Sequence, residues 1–481
     1  MPATDQPATD QPATDQPATD QPASQLLAPD LRSVPAPTLF PEIYRRDPNH
    51  HGWAKGGYKA ALEQLDRLEP ERYGVERGFP HKYSTRLSPY LRHGVLSLAQ
   101  ARLEGLRRVP KTAPSKAWKY VNELSWRDYF VRLYRAVGAE IWQDFQPYKT
   151  GLGSNGYSQA FPADIKGAST GLNCIDSWSR ELQETGYLHN HIRMWLASYI
   201  VHHRRIWWQG GARWFMTHLL DGDPAANNLN WQWVASTFRP YPYIWNRPNL
   251  QKYVGDRYCA QCPLKDSGCP FQGTYAALSE RLFAGKKAAP GEVERMPLER
   301  LNGIPWQGPQ TPQHLPGTTV VVWVHADRLS PLGEALSAYP ESPALFVWDD
   351  ELLAQWEISA KRITFLHESL AELPVHVSRG MVAEEVARFA RAHGASAIAT
   401  TASPSPRFDE IVLGLERMGL TVQVWPEPPF AVTTVPLDLT NHTAYWHQIK
   451  ASAFGHEPGP SQPKPKARRT TPKLKRRVAP E

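Results

Sequence analysis

The segment DGDPAANNLNWQW (221–233) crowds two acids, three asparagines and two tryptophans into one short stretch. Carboxylates and amides orient polar groups, whereas tryptophan offers a large ring and an indole N–H that needs a partner. A buried helix has little use for so many polar side chains, and an exposed loop has little use for the tryptophans. The segment therefore raises the question of which single environment needs both.

The four cysteines form a second chemical pattern. Cys259, Cys262 and Cys269 follow a Cys-x2-Cys-x6-Cys spacing, and Cys174 lies upstream of them. Four thiolates suit a [4Fe–4S] cluster or an all-thiolate zinc site, and ordinary buried thiols are the third interpretation. So few cysteines in 481 residues argue against a disulfide framework and favour a reducing, cytoplasmic location.

Three further motifs carry polar side chains at helical spacing. YSTRLSPYLRHGVLS (83–97) sets hydroxyls around Arg86, and hydroxyls at a helix start either cap the helix or leave backbone N–H groups to hold an anion such as a phosphate. NELSWRDYF (122–130) places Glu123 three residues before Trp126, on one helical face. GYLHNHIRMW (186–195) spaces Asn190 and Arg193 in the same way.

The elements that must position these motifs change type along the chain. Residues 39–286 show helical spacing, as in 117–137 and 189–208. Residues 318–430 alternate short apolar runs (318–324, 343–348, 374–378, 396–400 and 420–425) with helical stretches such as 383–394 and 406–419. The predicted fold class is α plus α/β: an all-helical domain followed by a Rossmann-like domain with a parallel sheet. The loop after the first strand, HADRLSPLG (325–333), lacks the GxGxxG fingerprint and assigns no ligand.

The remaining segments have the composition of tails and linkers. PATDQ repeats indicate a disordered leader over 1–38, Pro and Gly indicate a linker over 287–317, and 431–481 is a C-terminal extension. The net charge of +7 owes much to eight Lys and Arg after residue 463, which either attract phosphates or solubilise the chain. No apolar run is long enough to span a membrane, and no signal peptide is recognised.

The motifs, taken in order, resemble the flavin-binding domain of the photolyase/cryptochrome family. The similarity runs over about 170 residues: TRLSPYL, NELSWRDYF, TGYLHNHIRMW and ARWFMTHLLDGDPAANNLNWQW. The family holds FAD in a helical cage, which answers the question raised by 221–233. The resemblance implies that the following residues bind FAD: Tyr73, Ser84, Thr85, Arg86, Leu87, Ser88, Tyr120, Arg193, Asp221, Asp223 and Asn227.

Within that set the resemblance assigns individual roles. It places Ser84–Ser88 at the phosphates, with Tyr73 beside them. Asp221 and Asp223 lie near the ribose and isoalloxazine, and Arg193 pairs with the first acid, so that this acid stays charged while buried. Asn227 faces flavin N5, where its amide oxygen accepts from a protonated nitrogen.

The resemblance also implies a pocket for a cyclobutane pyrimidine dimer flipped out of damaged DNA. Its residues would be Glu123, Trp126, Arg127, Asn190, His191 and Trp233, which supply aromatic platforms and hydrogen-bonding groups. The family's 6-4 repair branch shows His at the position of Asn190, so the sequence favours dimer repair. Trp231 and Trp208 match two members of a tryptophan chain that carries electrons to the flavin. The third has no counterpart, because 151–161 offers only Tyr157.

Two departures from the family pattern concern domain order and cysteines. The family places its α/β domain first, whereas here WVHADRLSPLGEAL (323–336) looks like a worn form of the family's opening segment, so the chain resembles a circular permutant. This erosion leaves the presence of an antenna chromophore open. Cys174 stands twelve residues before Gly186, as in the family's iron–sulfur branch, although the x6 spacing is shorter than that branch suggests.

These observations lead to a blue-light-driven DNA photolyase as the first hypothesis. FAD is its cofactor, a [4Fe–4S] cluster the expected second cofactor, damaged DNA the partner, and a cytoplasmic monomer the expected form. The second hypothesis is a cryptochrome photoreceptor that signals through a partner, favoured by the missing third tryptophan and the eroded α/β domain. A third is a structural flavoprotein that binds nucleic acid without photochemistry.

Overall fold

The β-branched runs of the second half form a five-stranded parallel sheet in the computed structural model, which describes residues 27–283, 298–306 and 308–455. The strand order is β4-β3-β2-β5-β6, and each strand coincides with one of the predicted runs. The bounds are β2 Val320–Val324, β3 Ala344–Asp349, β4 His376–Gly380, β5 Ala397–Thr401 and β6 Thr421–Trp425. The predicted fold class, helices followed by a parallel α/β sheet, is confirmed.

The central strand β2 pairs with β3 on one side and β5 on the other, with Val322 opposite both Ala344 and Ala399. Side chains along β2 alternate between two cores because successive residues of a strand point to opposite faces. Val320, Val322 and Val324 join a core shared with the helical part, whereas Val321 and Trp323 pack beneath helices on the outer face. Burial on both faces explains the uninterrupted apolar sequence.

Six α-helices lie in the described residues of this second half of the chain. The outer face of the sheet is covered by α18 and α19, and the inner face meets the helical part. Their bounds are α15 Glu334–Ala338, α16 Asp350–Gln355, α17 Ala360–Leu370, α18 Val382–Ala392, α19 Pro406–Arg417 and α20 His442–Ala453.

The first half is helical, as predicted. Its helices are α1 Ala36–Leu39, α2 Pro41–Arg46, α3 Tyr58–Asp66, α4 Pro70–Glu76, α5 Ser88–Arg92, α6 Leu98–Arg107, α7 Trp118–Val137, α8 Ala163–Lys166, α9 Asn173–Thr185, α10 Asn190–Ser198, α11 Trp208–His218, α12 Pro224–Ala235, α13 Arg247–Val254 and α14 Tyr275–Phe283. Among the described residues, no helix is long and apolar enough to cross a membrane.

Helical spacing over 189–208 does not produce one continuous helix. After α10 the chain makes a π-helical turn, Tyr199–His203, and then leaves helical geometry at Arg205, whose φ is +54°. Ile206 forms an isolated bridge with Ser158, and α11 begins only at Trp208. The left-handed residue is a local backbone feature that the apolar pattern did not reveal.

Three predicted boundaries need correction where residues are described. The leader was predicted to be disordered up to residue 38, but Leu31 donates its N–H to the carbonyl of Val377 at 2.8 Å. Within the predicted linker, β1 (Asn302–Ile304) pairs antiparallel with β7 (Leu437–Asp438). The C-terminal extension includes α20, which packs against α7. The PATDQ repeats up to residue 26 and the basic tail from 456 lie outside the described residues.

Candidate functional site

The acidic loop before α12 contains a buried ion pair. Asp221 accepts two hydrogen bonds from Nη2 of Arg193, at 2.9 and 3.0 Å, and Arg193 also donates to the carbonyl of Leu188. Burial alone would raise the pKa of Asp221, but the Arg193 guanidinium and the Ser88 hydroxyl lower it below its usual range. The sequence-predicted partners thus meet, and Asp221 stays charged at neutral pH.

The second acid of the loop organises the start of α12. Asp223 is the N-cap of the helix, and its Oδ1 accepts from the backbone N–H of Ala225 at 2.8 Å and of Ala226 at 3.3 Å. Its Oδ2 accepts from Arg127 at 2.7 Å. Capping fixes the direction of the carboxylate, and Arg127, expected to face DNA, instead compensates a buried charge.

Asn227 lies one turn into α12 with a defined amide orientation. Its Nδ2 donates to the carbonyl of Ala212 at 3.0 Å and to Oδ1 of Asn228 at 3.2 Å. Both amide hydrogens have protein acceptors, so the carbonyl oxygen Oδ1 is the atom available to accept from a ligand. The assignment of a role at flavin N5 requires an acceptor of this kind.

The hydroxyl segment Ser84–Ser88 leads into α5 through an unusual backbone conformation. Arg86 has a φ of +51°, in the left-handed region that non-glycine residues seldom adopt. Its guanidinium lies 4.7 Å from the ring centroid of Tyr187 and 5.3 Å from that of Trp53. Such strain at a predicted phosphate-binding segment fits a backbone shaped for a ligand.

The two predicted tyrosines have different surroundings. Burial, followed by the nearby Glu123 carboxylate, raises the pKa of Tyr73 to about 12. Tyr120 is fully buried, and its hydroxyl donates to the carbonyl of Ala101 at 3.0 Å. Its ring packs so closely on α6 that a Cβ on Gly105 would lie 2.3 Å from it. Tyr120 is therefore a core residue whose hydroxyl is already paired, which does not fit a cofactor contact through that group.

Glu123 is half-buried between two cations. Its Oε2 accepts from Arg77 at 2.8 Å, and its Oε1 lies 2.8 Å from Nζ of Lys119. Burial is the main cause that lowers the pKa of His191. The charge of Arg77 lowers this pKa further, and the charge of Glu123 raises it. Glu123, Arg77, Tyr73 and His191 thus form one local group, of which the sequence had identified all but Arg77.

Asn190 and Trp233 lie in more exposed settings. Asn190 is exposed at the start of α10, and its Nδ2 approaches the sulfur of Met194 at 3.8 Å. Trp233 is half-buried, with the Arg239 guanidinium 3.9 Å from its ring centroid. The same guanidinium lies 4.2 Å from the ring of Tyr241, which is 58% exposed. This Trp233–Arg239–Tyr241 group, missed in the sequence apart from Trp233, combines a cation with flat rings.

Trp126 occupies a position that its predicted role does not anticipate. Its ring stacks on the ring of His442 from α20, with centroids 3.7 Å apart and planes inclined by 10°. Nε2 of His442 is 2.9 Å from the hydroxyl of Ser125. One face of the residue expected to stack on a flipped base is therefore covered by α20 of the same chain, and nothing in the helical motif pointed to this contact.

The predicted electron-transfer tryptophans lie on adjoining helices. The indole of Trp231, on α12, packs directly against Gly211 of α11. A Cβ on that glycine would lie 2.2 Å from the ring. Trp208 donates from Nε1 to Asp144 at 2.6 Å, and its ring is stacked with that of Trp142 at 6.4 Å. Trp142 in turn stacks on Trp356 at 5.2 Å. The rings of Trp142 and Trp356 are both half-buried.

Trp142 supplies the aromatic neighbour that the sequence lacked. Tyr157, the residue considered there, instead stacks on Tyr148 at 4.3 Å and shares a hydrogen bond with Thr150. Trp142 lies in the turn after α7, outside every family motif quoted above, so sequence spacing gave no signal for it.

The four cysteines are free thiols brought into one region. Cys174 and Cys259 are buried in the same apolar cluster, and Cys269 packs against it. Burial raises the pKa of Cys174, and the sulfurs of the other three cysteines raise it further. Burial, and then Cys269, likewise raise the pKa of Cys259, and the charge of Arg247 opposes that rise. In the described part of the chain, no three His, Cys, Asp or Glu side chains are arranged to hold a metal ion.

Comparison with known proteins identifies relatives of this site. Residues 120–253 match the family model described as the FAD binding domain of DNA photolyase. The deoxyribodipyrimidine photo-lyase of Vibrio cholerae is 36% identical over 196 residues, which cover 39% of this chain and 41% of that protein. The enzyme of the same name from Agrobacterium fabrum is 32% identical over 252 residues, covering 47% and 51%.

The chain thus spans about half the length of these curated relatives, or less. Among solved structures, the crystal structure of a bacterial class III photolyase from Agrobacterium tumefaciens is 24% identical, with 47% of this chain and 55% of that chain covered and a TM-score of 0.37. The matched family segment contains the acidic loop, Asn227 and both predicted electron-transfer tryptophans.

Proposed function

This chain belongs to the photolyase/cryptochrome family, and on that premise we propose that it is a blue-light-driven flavoprotein that splits cyclobutane pyrimidine dimers in DNA. The observation that carries the proposal is the pair of compensated acids in the segment that matches the FAD-binding domain. Asp221 is held by Arg193 and Asp223 by Arg127, so that both carboxylates are fixed in direction. Buried carboxylates kept in this way are characteristic of a binding site for a polar ligand.

FAD is the ligand that these donors fit. Ser84 and Thr85 supply hydroxyls, and Arg86 a positive charge, for the phosphates. The Ser88 hydroxyl, predicted to join them, instead donates to Asp221. Asn227 offers Oδ1 as an acceptor at the isoalloxazine, and the two acids accept from ribose or ring N–H groups. When bound and reduced, FAD supplies an electron to the lesion under blue light and recovers it after the ring is split.

The chain's own residues position the lesion in this proposal. Glu123 accepts hydrogen bonds from the pyrimidine edge, while Arg77 and Lys119 hold its carboxylate in place. Asn190, exposed at the start of α10, offers both a donor and an acceptor to a flipped base. The Trp233–Arg239–Tyr241 group provides a cation and stacking surface for the neighbouring nucleotides. Damaged DNA is therefore the proposed partner.

We also propose that Cys174, Cys259, Cys262 and Cys269 hold a [4Fe–4S] cluster. Cys174 and Cys259 are buried in one apolar cluster with Cys269 packed against it, and four free thiols are the all-cysteine donor set of such clusters. Within the described residues these side chains are not arranged as a metal site, so binding would have to draw the four sulfurs together. Zinc is the alternative metal, because it accepts the same four thiolates. In either case the metal would join the segment 259–269 to α9.

The domain order is proposed to be a circular permutation of the family arrangement. The parallel sheet follows the helical part, and β7 returns to pair with β1. The segment His325–Arg328, where the worn family signature lies, contacts the helical part through Asp327 and the backbone of Arg328. That contact occupies the carboxyl end of β2, where α/β sheets commonly bind ligands, which argues against an antenna at that end.

A cryptochrome photoreceptor is the second candidate function. The observation that favours it is the stack of His442 on Trp126, because a signalling protein has no need of an open face on that ring. Both candidates bind FAD and respond to blue light. They differ in whether dimers disappear from DNA.

The deciding experiment exposes dimer-containing oligonucleotides to the fully reduced protein under blue light without oxygen. Loss of dimers in the light but not in the dark supports the repair proposal. Glu123→Gln should lower the yield per photon while FAD stays bound, and Glu280→Gln, on the exposed surface of α14, is the matched control. A flavin-loaded wild-type protein that leaves dimers intact would favour the photoreceptor, and conversion of 6-4 lesions alone would reassign the substrate.

A further inference from the structure

The loop that carries Asp221 is held from outside the helical part. Nε of Arg362, on α17 beside the sheet, donates to the carbonyl of Leu219 at 3.0 Å, and its Nη2 donates to the same carbonyl and to that of Met216. The backbone N–H of Ser359 donates to the carbonyl of Thr217 at 3.0 Å. These carbonyls end α11, where a helix leaves its acceptors unsatisfied and its dipole is negative.

A second contact holds the other end of the loop. Nε of Arg92 donates to the carbonyl of Gly222 at 2.8 Å, and its Nη1 donates to Asp327, after β2, at 2.5 Å. Asp327 also accepts from the hydroxyl of Ser403, after β5. The side chain of Arg92 therefore lies between the acidic loop and the carboxyl ends of two central strands.

The packing at Gly222 leaves no room for a side chain. A Cβ on Gly222 would lie 2.1 Å from Nη2 of Arg362, so the glycine allows the guanidinium to reach the loop backbone. Arg362 is 6% exposed, and its guanidinium donates to backbone carbonyls, whereas no carboxylate of the described residues forms a salt bridge with it. Burying a guanidinium without a carboxylate partner costs folding free energy, and this cost is tolerated where the position of the side chain is needed.

We infer that the α/β part of this protein positions the acidic loop of the cofactor site, with Arg362 as the direct clamp and Asp327 acting through Arg92. This inference rests on the proposed FAD site. It gives the α/β part a role that needs no antenna: Leu219 and Gly222 are fixed on both sides of Asp221, so the carboxylate meets Arg193 already oriented. Both Arg362 and Asp327 are positioning residues and touch no ligand.

The test compares Arg362→Gln with Arg362→Lys and with Arg407→Gln as matched control. Arg407 forms ion pairs with Asp349 and Glu351, all within the α/β part. Hydrogen exchange of amides 219–223 in the flavin-free protein reports the clamp directly, and FAD titration reports its effect on binding. A coupling of ordinary size weakens FAD binding by about tenfold or more in Arg362→Gln.

The expected result is faster exchange and weaker FAD binding in Arg362→Gln, partial recovery in Arg362→Lys, and wild-type behaviour in Arg407→Gln. Folded Arg362→Gln with unchanged exchange and unchanged affinity would overturn the inference. If Arg362→Gln does not fold, Asp327→Asn decides: loosening of the loop supports the clamp and wild-type exchange refutes it. If the wild-type protein binds no FAD, the proposed function fails, while the exchange measurements still decide the clamp.

Discussion

The ring of Trp126 lies flat against the ring of His442, with centroids 3.7 Å apart and planes inclined by 10°. His442 continues the stack towards Trp446, at 6.4 Å and 11°. The aromatic residue expected to receive a flipped pyrimidine thus already has an aromatic partner from α20. A lesion that stacks on Trp126 must use its other face or displace the histidine.

Removing the histidine should therefore favour lesion binding. His442→Ala is expected to tighten binding of dimer-containing DNA several-fold and to leave FAD affinity unchanged, because base–aromatic stacking is worth roughly 1–3 kcal/mol and the competing ring is gone. The measurement is a binding titration with damaged and undamaged duplexes. His447→Ala is the control, since this residue is exposed on the same helix. Weaker lesion binding in His442→Ala would show that the stack belongs to the lesion pocket rather than competing with it.

The same contact predicts a pH dependence. Burial, and then the charge of Lys119, lower the pKa of His442 from 6.5 to about 4. The unfolded chain binds this proton more tightly, so the contribution to stability is present above about pH 6.5 and is lost as pH falls towards 4. Across the whole pH window the free energy of unfolding falls by about 3 kcal/mol. Urea unfolding of the wild type and His442→Gln should diverge across that window, and parallel pH profiles would contradict the prediction.

The Asp221–Arg193 pair should be required for flavin retention. Asp221→Asn or Arg193→Gln leaves the partner buried without compensation, at a cost of about 3–5 kcal/mol. We expect both variants to lose bound FAD, as measured by absorbance of the purified protein. Asp164→Asn is the control, because Asp164 pairs with Arg204 in the same manner but at the surface. Full flavin content in both pocket variants would refute the assignment of these residues.

The sequence predicted the elements and the residue pairs that are close along the chain or have a family pattern. All five strands follow from local patterns, and the Asp221–Arg193 pair follows from the family resemblance. The contacts of Arg362 with Leu219 and of His442 with Trp126 could not be predicted, because they join segments separated by more than a hundred residues. The hydrogen bond of the Tyr120 hydroxyl to Ala101 could not be predicted either, because a family motif marks the position of a residue but not the direction of its hydroxyl.

The four cysteines lead to a prediction about the metal content of the protein. A [4Fe–4S] cluster should give close to four irons and four acid-labile sulfides per chain after anaerobic purification. Replacing Cys262 by Ser should lower the iron content and loosen the segment 259–269, which limited proteolysis would detect. Stoichiometric zinc without iron would rule out the cluster, and absence of both metals would favour buried thiols.

We propose that the stacked order Trp208, Trp142, Trp356 forms an electron-transfer path whose exit differs from the one sought in the sequence. Asp144 accepts the indole N–H of Trp208 at 2.6 Å, and burial raises the pKa of this carboxylate. A carboxylate in that position is able to receive the indole proton when Trp208 is oxidised. Trp142 and Trp356 then lead from Trp208 towards the surface, where an external thiol restores the electron.

Trp142→Phe should therefore slow the light-dependent reduction of bound FAD by an external thiol several-fold. Phenylalanine keeps the ring packing but is much harder to oxidise, so the effect reports electron transfer rather than folding. Tyr157→Phe is the matched control and should behave as the wild type, because Tyr157 stacks on Tyr148 rather than on Trp208. Time-resolved absorption provides a second measurement. It should show that the tryptophan radical is short-lived in Trp142→Phe. If Tyr157→Phe slows reduction and Trp142→Phe does not, the path runs through the tyrosine and the assignment of Trp142 is wrong.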